Sequence, residues 1–169
     1  MPHSDLDHHF KRIDDLVAEM NQFVPIDERG VSDFRADLAG MLVVAIAAMY
    51  ESCAKETMVS YAAKQHSSFE SFAAKNFDRL NSRIRVRDLR RYCSVFDPEI
   101  RTKFNTLYNH RKQTILAITG KRVEDEFDRI LDWRHDFAHA GLRNTTIEEA
   151  IKTHRIGRFI MLTFHDAFH

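Results

Sequence analysis

Apolar residues recur along this chain at spacings of three and four, the period of helices with one buried face. Leu6, Phe10, Ile13, Val17, Met20 and Val24 form the first stripe, and Ser4 with Asp7 reads as a capping box at its start. Pro25 to Gly30 interrupts the pattern. It resumes from about Asp33 to about Gln65, and the middle of that stretch, Met41 to Tyr50, is apolar on every side. Such a helix belongs at the centre of a bundle. Ser67 with Glu70 reads as a second capping box, ahead of Phe69, Phe72, Phe77 and Leu80. A short helix is expected around Arg87 to Phe96, and Asp97-Pro98 supplies a cap and a first-turn proline for the next, with Ile100, Phe104 and Leu107 as its stripe. Val123, Phe127, Ile130, Leu131 and Ala138 predict a helix from about Arg122 to His139, closed by Gly141. Thr145 with Glu148, or Thr146 with Glu149, caps a final helix carrying Ile147, Ile151, Phe159, Ile160 and Phe164. No segment alternates as a strand does. The expectation is an all-α bundle of about five to seven helices, one domain over residues 1–169.

Composition agrees with that pattern and narrows the class. The five glycines and three prolines among 169 residues are too few for the many turns of an all-β fold. Apolar residues at 44% and charged residues at 30% are ordinary for a globular chain long enough to bury a core without staples. The longest apolar run, Met41 to Tyr50, is too short to span a bilayer, and the N-terminus has no basic-then-apolar signal region. Cys53 and Cys93 are the two cysteines, which suits a reducing compartment better than a disulfide framework. A cytoplasmic protein without membrane contact is expected. Formal charge is zero, which excludes a general basic coat for nucleic acid. The charge is uneven, though: Arg79, Arg83, Arg85, Arg87, Arg90 and Arg91 crowd one segment against Asp78 and Asp88. That segment is either a solvated helix face or a local phosphate-binding patch, with Arg87, Arg90 and Arg91 as the RNA-binding candidates.

The stretch that carries chemistry is Asp132-Trp-Arg-His-Asp-Phe-Ala-His-Ala-Gly141. Arg134, His135, Asp136 and His139 lie within six residues, at the end of an otherwise amphipathic helix. Stability does not ask for them, since His and Asp are mediocre helix formers. Three readings stand. His135 and His139, at i and i+4, have the spacing of a divalent-metal pair, but Asp136 stands where a zinc-protease motif has its Glu and no third ligand is near in sequence. Alternatively, Arg and His near a helix C-terminus complement the helix dipole, and Asp132 and Asp136 pair with them. The third reading takes Arg134 and His139 as a reactive pair.

Arg134-x-x-x-x-His139 followed by Ala140-Gly141, on a late helix of an all-α chain, resembles the R-x4-6-H signature of the HEPN superfamily. His135 suits the polar position after the Arg, and the apolar second helix ending in Tyr50-Glu51 is similar to the RiboL-PSP branch. The resemblance is specific over about Leu131 to Gly141, looser over about Leu38 to Glu56, and elsewhere rests on helix order. It implies an endoribonuclease that needs no metal or other cofactor, with a toxin or defence role and an antitoxin or regulatory partner. The implied chemistry suits these side chains. A 2′-hydroxyl attacks the adjacent phosphorus, His139 serves as general base or acid, and the Arg134 guanidinium meets the charge on the phosphorane oxygens. The products are a 2′,3′-cyclic phosphate and a 5′-hydroxyl. His135, Asp136 and Glu51 are the supporting candidates; Glu51 orients Arg134 or simply pairs with Lys55.

Two residues five apart point about 140° away from each other on a regular helix. Either the helix frays at His139, or the two side chains approach the cleft from different angles. The resemblance implies dimers in which two motifs line one composite cleft, so a symmetric homodimer is expected. Trp133 reads as core or interface, and His3, His8, His9, His165 and His169 as solvated tails. A non-catalytic module of the same fold, binding RNA or a protein, is the alternative function.

Overall fold

A computed structural model describes residues 4–25, 33–80 and 83–169. Among these residues every regular element is a helix: α1 (Ser4–Phe23), α2 (Asp33–Gln65), α3 (Ser67–Asn76), α4 (Val86–Phe96), α5 (Pro98–Thr119), α6 (Val123–Ala140), α7 (Ile147–Gly157) and α8 (Phe159–Phe168). The all-α expectation holds. The interruption expected over Pro25 to Gly30 and the Ser4 side chain of the first capping box lie outside the described residues, except for Pro25.

Helix α2 is the axis of the bundle. It packs against α1, α3, α6, α7 and α8. Its apolar middle is nevertheless buried on one side: Leu42, Val43, Ile46 and Tyr50 fall within about 100° of one another and are fully buried, while Met41 and Ala48 on the opposite side are exposed. The ten-residue run understates its length. Over 33 residues α2 is long and apolar enough to cross a bilayer by length and composition, but half of its most apolar window is buried inside the bundle. Helices α4 and α5 pack on each other and on α8, while α6 packs on both α2 and α7.

The caps show how local chemistry fixes the boundaries. Asp97 accepts from the Glu99 N–H at 2.7 Å with Pro98 at the first position, and Thr146 accepts from Glu149 N–H at 3.1 Å. Of the two caps the sequence offers for the last segment, Thr146 is therefore the one used. Gly120 and Gly141 close α5 and α6 with left-handed φ of 68° and 63°. The capping box at Ser67 is not formed. His66 is the cap, its Nδ1 accepting from Ser68 N–H at 3.1 Å. Because α2 runs to Gln65, only His66 is left outside both helices, and its ring nitrogen takes the part a Ser or Asp oxygen usually plays.

The segment read as one final helix divides at Arg158 into α7 and α8. Gly157 lies against the Phe127 backbone of α6, where a Cβ would stand 3.0 Å from Phe127 Cα. The C-terminus is not a solvated tail: Phe164, His165 and Phe168 are buried. His9 is half-buried, its Nε2 2.9 Å from Glu56 Oε2, whereas His8 and His169 are exposed as expected. His9 and His165 are held because α1 and α8 both dock on α2; His3 lies outside the described residues. Cys53 and Cys93 are free and buried, and burial pushes both thiols up to about 12, which makes them inert packing groups.

Candidate functional site

The end of α6 is held on three sides. Phe137 lies across Gly40 of α2, where a Cβ would fall 2.2 Å from its ring carbons, so glycine is what lets the two helices approach. Beyond Gly141 the chain is tied back. Arg143 forks onto the Asp37 carboxylate at 2.7 and 2.9 Å and reaches Asp33 at 3.0 Å, while Asn144 donates to Asp136 at 2.9 Å. Asp136 thus fastens the loop that leaves the motif. Trp133 packs half-buried on the core with the Arg129 guanidinium 5.9 Å from its ring centre, so the core reading fits it within one chain.

Arg134 turns toward α2 and lines a cleft of about 220 Å³ with Val44, Ala48, Glu51, Ser52, Lys55 and Asp78. Glu51 and Arg134, far apart in sequence, therefore meet at one site. Lys55 donates to the Asp78 backbone oxygen at 2.6 Å, which pins the segment after α3 as the cleft's far wall. Among the described residues no carboxylate lies within 4.0 Å of the Arg134 guanidinium, which leaves its donors available to an incoming anion. Sequence reading missed Ser52, Lys55 and Asp78. The first two had a signal: with Val44, Ala48 and Glu51 they follow the three-and-four spacing of one α2 face.

His139 is not part of that cleft. Helix α6 runs to Ala140 before its glycine cap, so the helix does not fray at His139. Its ring is exposed and lies beside that of His135, with centroids 4.6 Å apart. The expected offset in direction is therefore real within one chain: Arg134 faces inward along α2, and the two histidines face out. Among the described residues no third metal-ligating side chain joins His135 and His139; the cluster of three is His8, His9 and Glu56, elsewhere.

The six arginines after α3 have different fates. Arg85 bridges to Asp128 at 3.1 Å and to Asp132, tying α4 to the motif helix. Arg90 donates to Asn105 at 2.9 Å and stacks over Tyr108, so it is largely taken up in joining α4 to α5. Arg87 projects into solvent with Asp88 no closer than 4.0 Å, and Arg91 is exposed, its guanidinium 5.5 Å from the Tyr92 ring centre. Of the three RNA-binding candidates, two remain open to a ligand.

Behind the cleft lies a polar pair that sequence reading did not single out. Tyr50 Oη and His154 Nδ1 are 2.9 Å apart, both buried, joining α2 to α7. Burial, with Arg158 and Arg155 nearby, lowers the His154 pKa to about 3, and burial raises that of Tyr50 well above its ordinary value. The pair is neutral and structural, and it fixes the residue next to Glu51.

A family model for RiboL-PSP-HEPN matches residues 6–169, nearly the whole chain. The chain belongs to the RiboL-PSP-HEPN family. Comparison with curated proteins and with solved structures returned no match. Membership in the HEPN superfamily points to a ribonuclease or an RNA-binding module. In this HEPN chain the segment from Arg134 to His139 occupies the exposed end of a helix anchored by Gly40, Asp37 and Asn144.

Proposed function

We propose that this RiboL-PSP-HEPN protein is a metal-independent endoribonuclease that acts as a homodimer. The observation that carries the reading is the Arg134 guanidinium, set in a cleft with Glu51, Lys55 and Asp78 and with no carboxylate of the described residues within 4.0 Å of it. An unpaired guanidinium beside a cleft suits a phosphodiester whose non-bridging oxygens gain charge during reaction. His139, outside that cleft in its own chain, reaches a phosphate only where a second copy closes the site. Across a two-fold axis the second copy brings its His139 to the phosphate held at Arg134, to take the 2′-hydroxyl proton or to protonate the 5′-oxygen that leaves, with water serving the other transfer. The O2′–P bond forms as the P–O5′ bond breaks, giving a 2′,3′-cyclic phosphate and a 5′-hydroxyl. A toxin or defence role, with an antitoxin or regulatory partner, goes with the superfamily rather than with these side chains.

The test is cleavage of a generic RNA in excess EDTA, with end-group analysis of the products. The parent should cut and leave cyclic phosphate ends. His139→Ala should slow the reaction by about 10²–10⁴ while the helical circular dichroism is unchanged. No cleavage by the parent, with RNA still bound, would leave the non-catalytic RNA-binding module as the function.

A further inference from the structure

Beside the Arg134 cleft lies a second cleft, of about 330 Å³, between the end of α3 and α4. Phe72, Phe77 and Tyr92 line it, with Arg79, Arg83 and Arg91 among them. We propose that this cleft is a subsite for an unpaired nucleotide of the RNA that passes through the Arg134 cleft, its base stacked on Phe72 and its phosphates held by the three arginines. The proposal rests on the RNA-directed reading above and names a second point of substrate contact.

Four observations carry it. First, the charge is left over. Arg85 is bound to Asp128 and Asp132 and Arg90 to Asn105, whereas among the described residues none of Arg79, Arg83 and Arg91 has a carboxylate within 4.0 Å. Three like charges around one concavity repel each other unless an anion joins them. Second, an aromatic platform is exposed and braced. Phe72 is 52% exposed, and behind it Phe69 stacks at 6.3 Å. Phe77 packs on Phe96 at 5.6 Å and edge-on to Tyr92 at 5.5 Å. A large apolar ring held open to solvent by a fixed cluster is what an unpaired base stacks on. Third, the two clefts share a wall. Asp78 lines the Arg134 cleft, while its neighbours Phe77 and Arg79 line the second, so the two clefts border one short segment. Fourth, the wall is pinned, by Lys55 to Asp78 and by the Tyr92 hydroxyl donating to the Arg83 backbone oxygen at 2.7 Å. An acidic protein segment would meet the charge but would have no need of the route to Arg134.

The experiment uses the full chain carrying His139→Ala, so that bound RNA is not cut, and a 5′-labelled oligouridylate of about 12 nucleotides followed by fluorescence anisotropy across a salt series. Phe72→Ala should weaken binding about 5- to 150-fold, the range for losing one base–aromatic stack. The triple variant R79Q/R83Q/R91Q should weaken it further and flatten the log–log salt slope by about 2, for three phosphates on a single strand. Parent affinity and slope in both variants, with unchanged circular dichroism, would overturn the subsite. So would displacement of the RNA by polyglutamate with no effect of Phe72→Ala, which would give the cleft to an acidic protein segment. The reaction is judged separately. RNA cutting by variants with intact His139 and unchanged KM removes the subsite and keeps the nuclease. RNA binding that depends on Phe72 and the arginines, in a parent that does not cut, keeps the subsite and removes the nuclease.

Discussion

At the scale of single residues, the buried Tyr50–His154 pair makes the most direct physical claim. His154 in the folded chain takes a proton only near pH 3, whereas in the unfolded chain it does so near 6.5. Between those values the unfolded state binds more protons, so stability is lost as pH falls through that window, and His154 adds no pH dependence above it. The limiting slope for one proton is about 1.4 kcal/mol per pH unit. His154→Gln should therefore flatten the fall in stability between about pH 6.5 and pH 5, measured by urea denaturation, relative to the parent. Equal slopes would mean that water or local opening already lets the imidazole protonate. The same logic separates buried from exposed histidines here. His139 and His135 stand in solvent, while His154 is buried and locked out of acid–base work.

At the scale of elements, the contact between α2 and α6 sets where Arg134 points, and Gly40 decides it. Two effects oppose each other when Gly40 becomes Ala. A helix interior gains about 1 kcal/mol from the better helix former. The new methyl meets the Phe137 ring at 2.2 Å, and overpacking of that kind costs about 1–3 kcal/mol. Gly40→Ala should thus be neutral to destabilising by about 2 kcal/mol in the parent and stabilising by about 1 kcal/mol in a Phe137→Ala background. A change of the same sign and size in both backgrounds would show that the ring is not the obstacle. Arg85 is the other link to the motif helix, but its half-exposed pairs with Asp128 and Asp132 are each worth under about 1 kcal/mol, so packing at Gly40 outweighs them.

At the scale of the whole molecule, the prediction is a division of labour between two copies. Arg134 and His139 leave α6 in different directions, on a helix that is regular to Ala140. Mixing His139→Ala with Arg134→Ala protein, each inactive alone, should restore part of the ribonuclease activity. In the mixed dimer an intact Arg134 from one copy meets an intact His139 from the other. If both came from one chain, no mixed dimer would hold an intact pair. A mixture as inactive as its components, in a sample that sedimentation shows to be dimeric, would refute the composite site.

The sequence by itself determined what depends on local chemistry and on periodicity. The bounds of α2, the Asp97-Pro98 start, the Gly141 stop and the apolar stripes all follow from backbone capping and from one buried face per helix. The family was legible for a related reason: a polar run at a helix end is conspicuous in one dimension, and that run carried the resemblance. Tertiary structure alone decided the rest. It chose His66 over Ser67 as a cap, since the end of α2 decides which residue is left outside. It buried His165 and tied down Arg85 and Arg90 while leaving Arg79, Arg83 and Arg91 open, because partners such as Asp132 and Asn105 lie far along the chain. It brought Glu51, Lys55 and Asp78 to Arg134, and it kept His139 away. Periodicity says that a residue faces a neighbour; it does not say which neighbour, and a site is made of that choice.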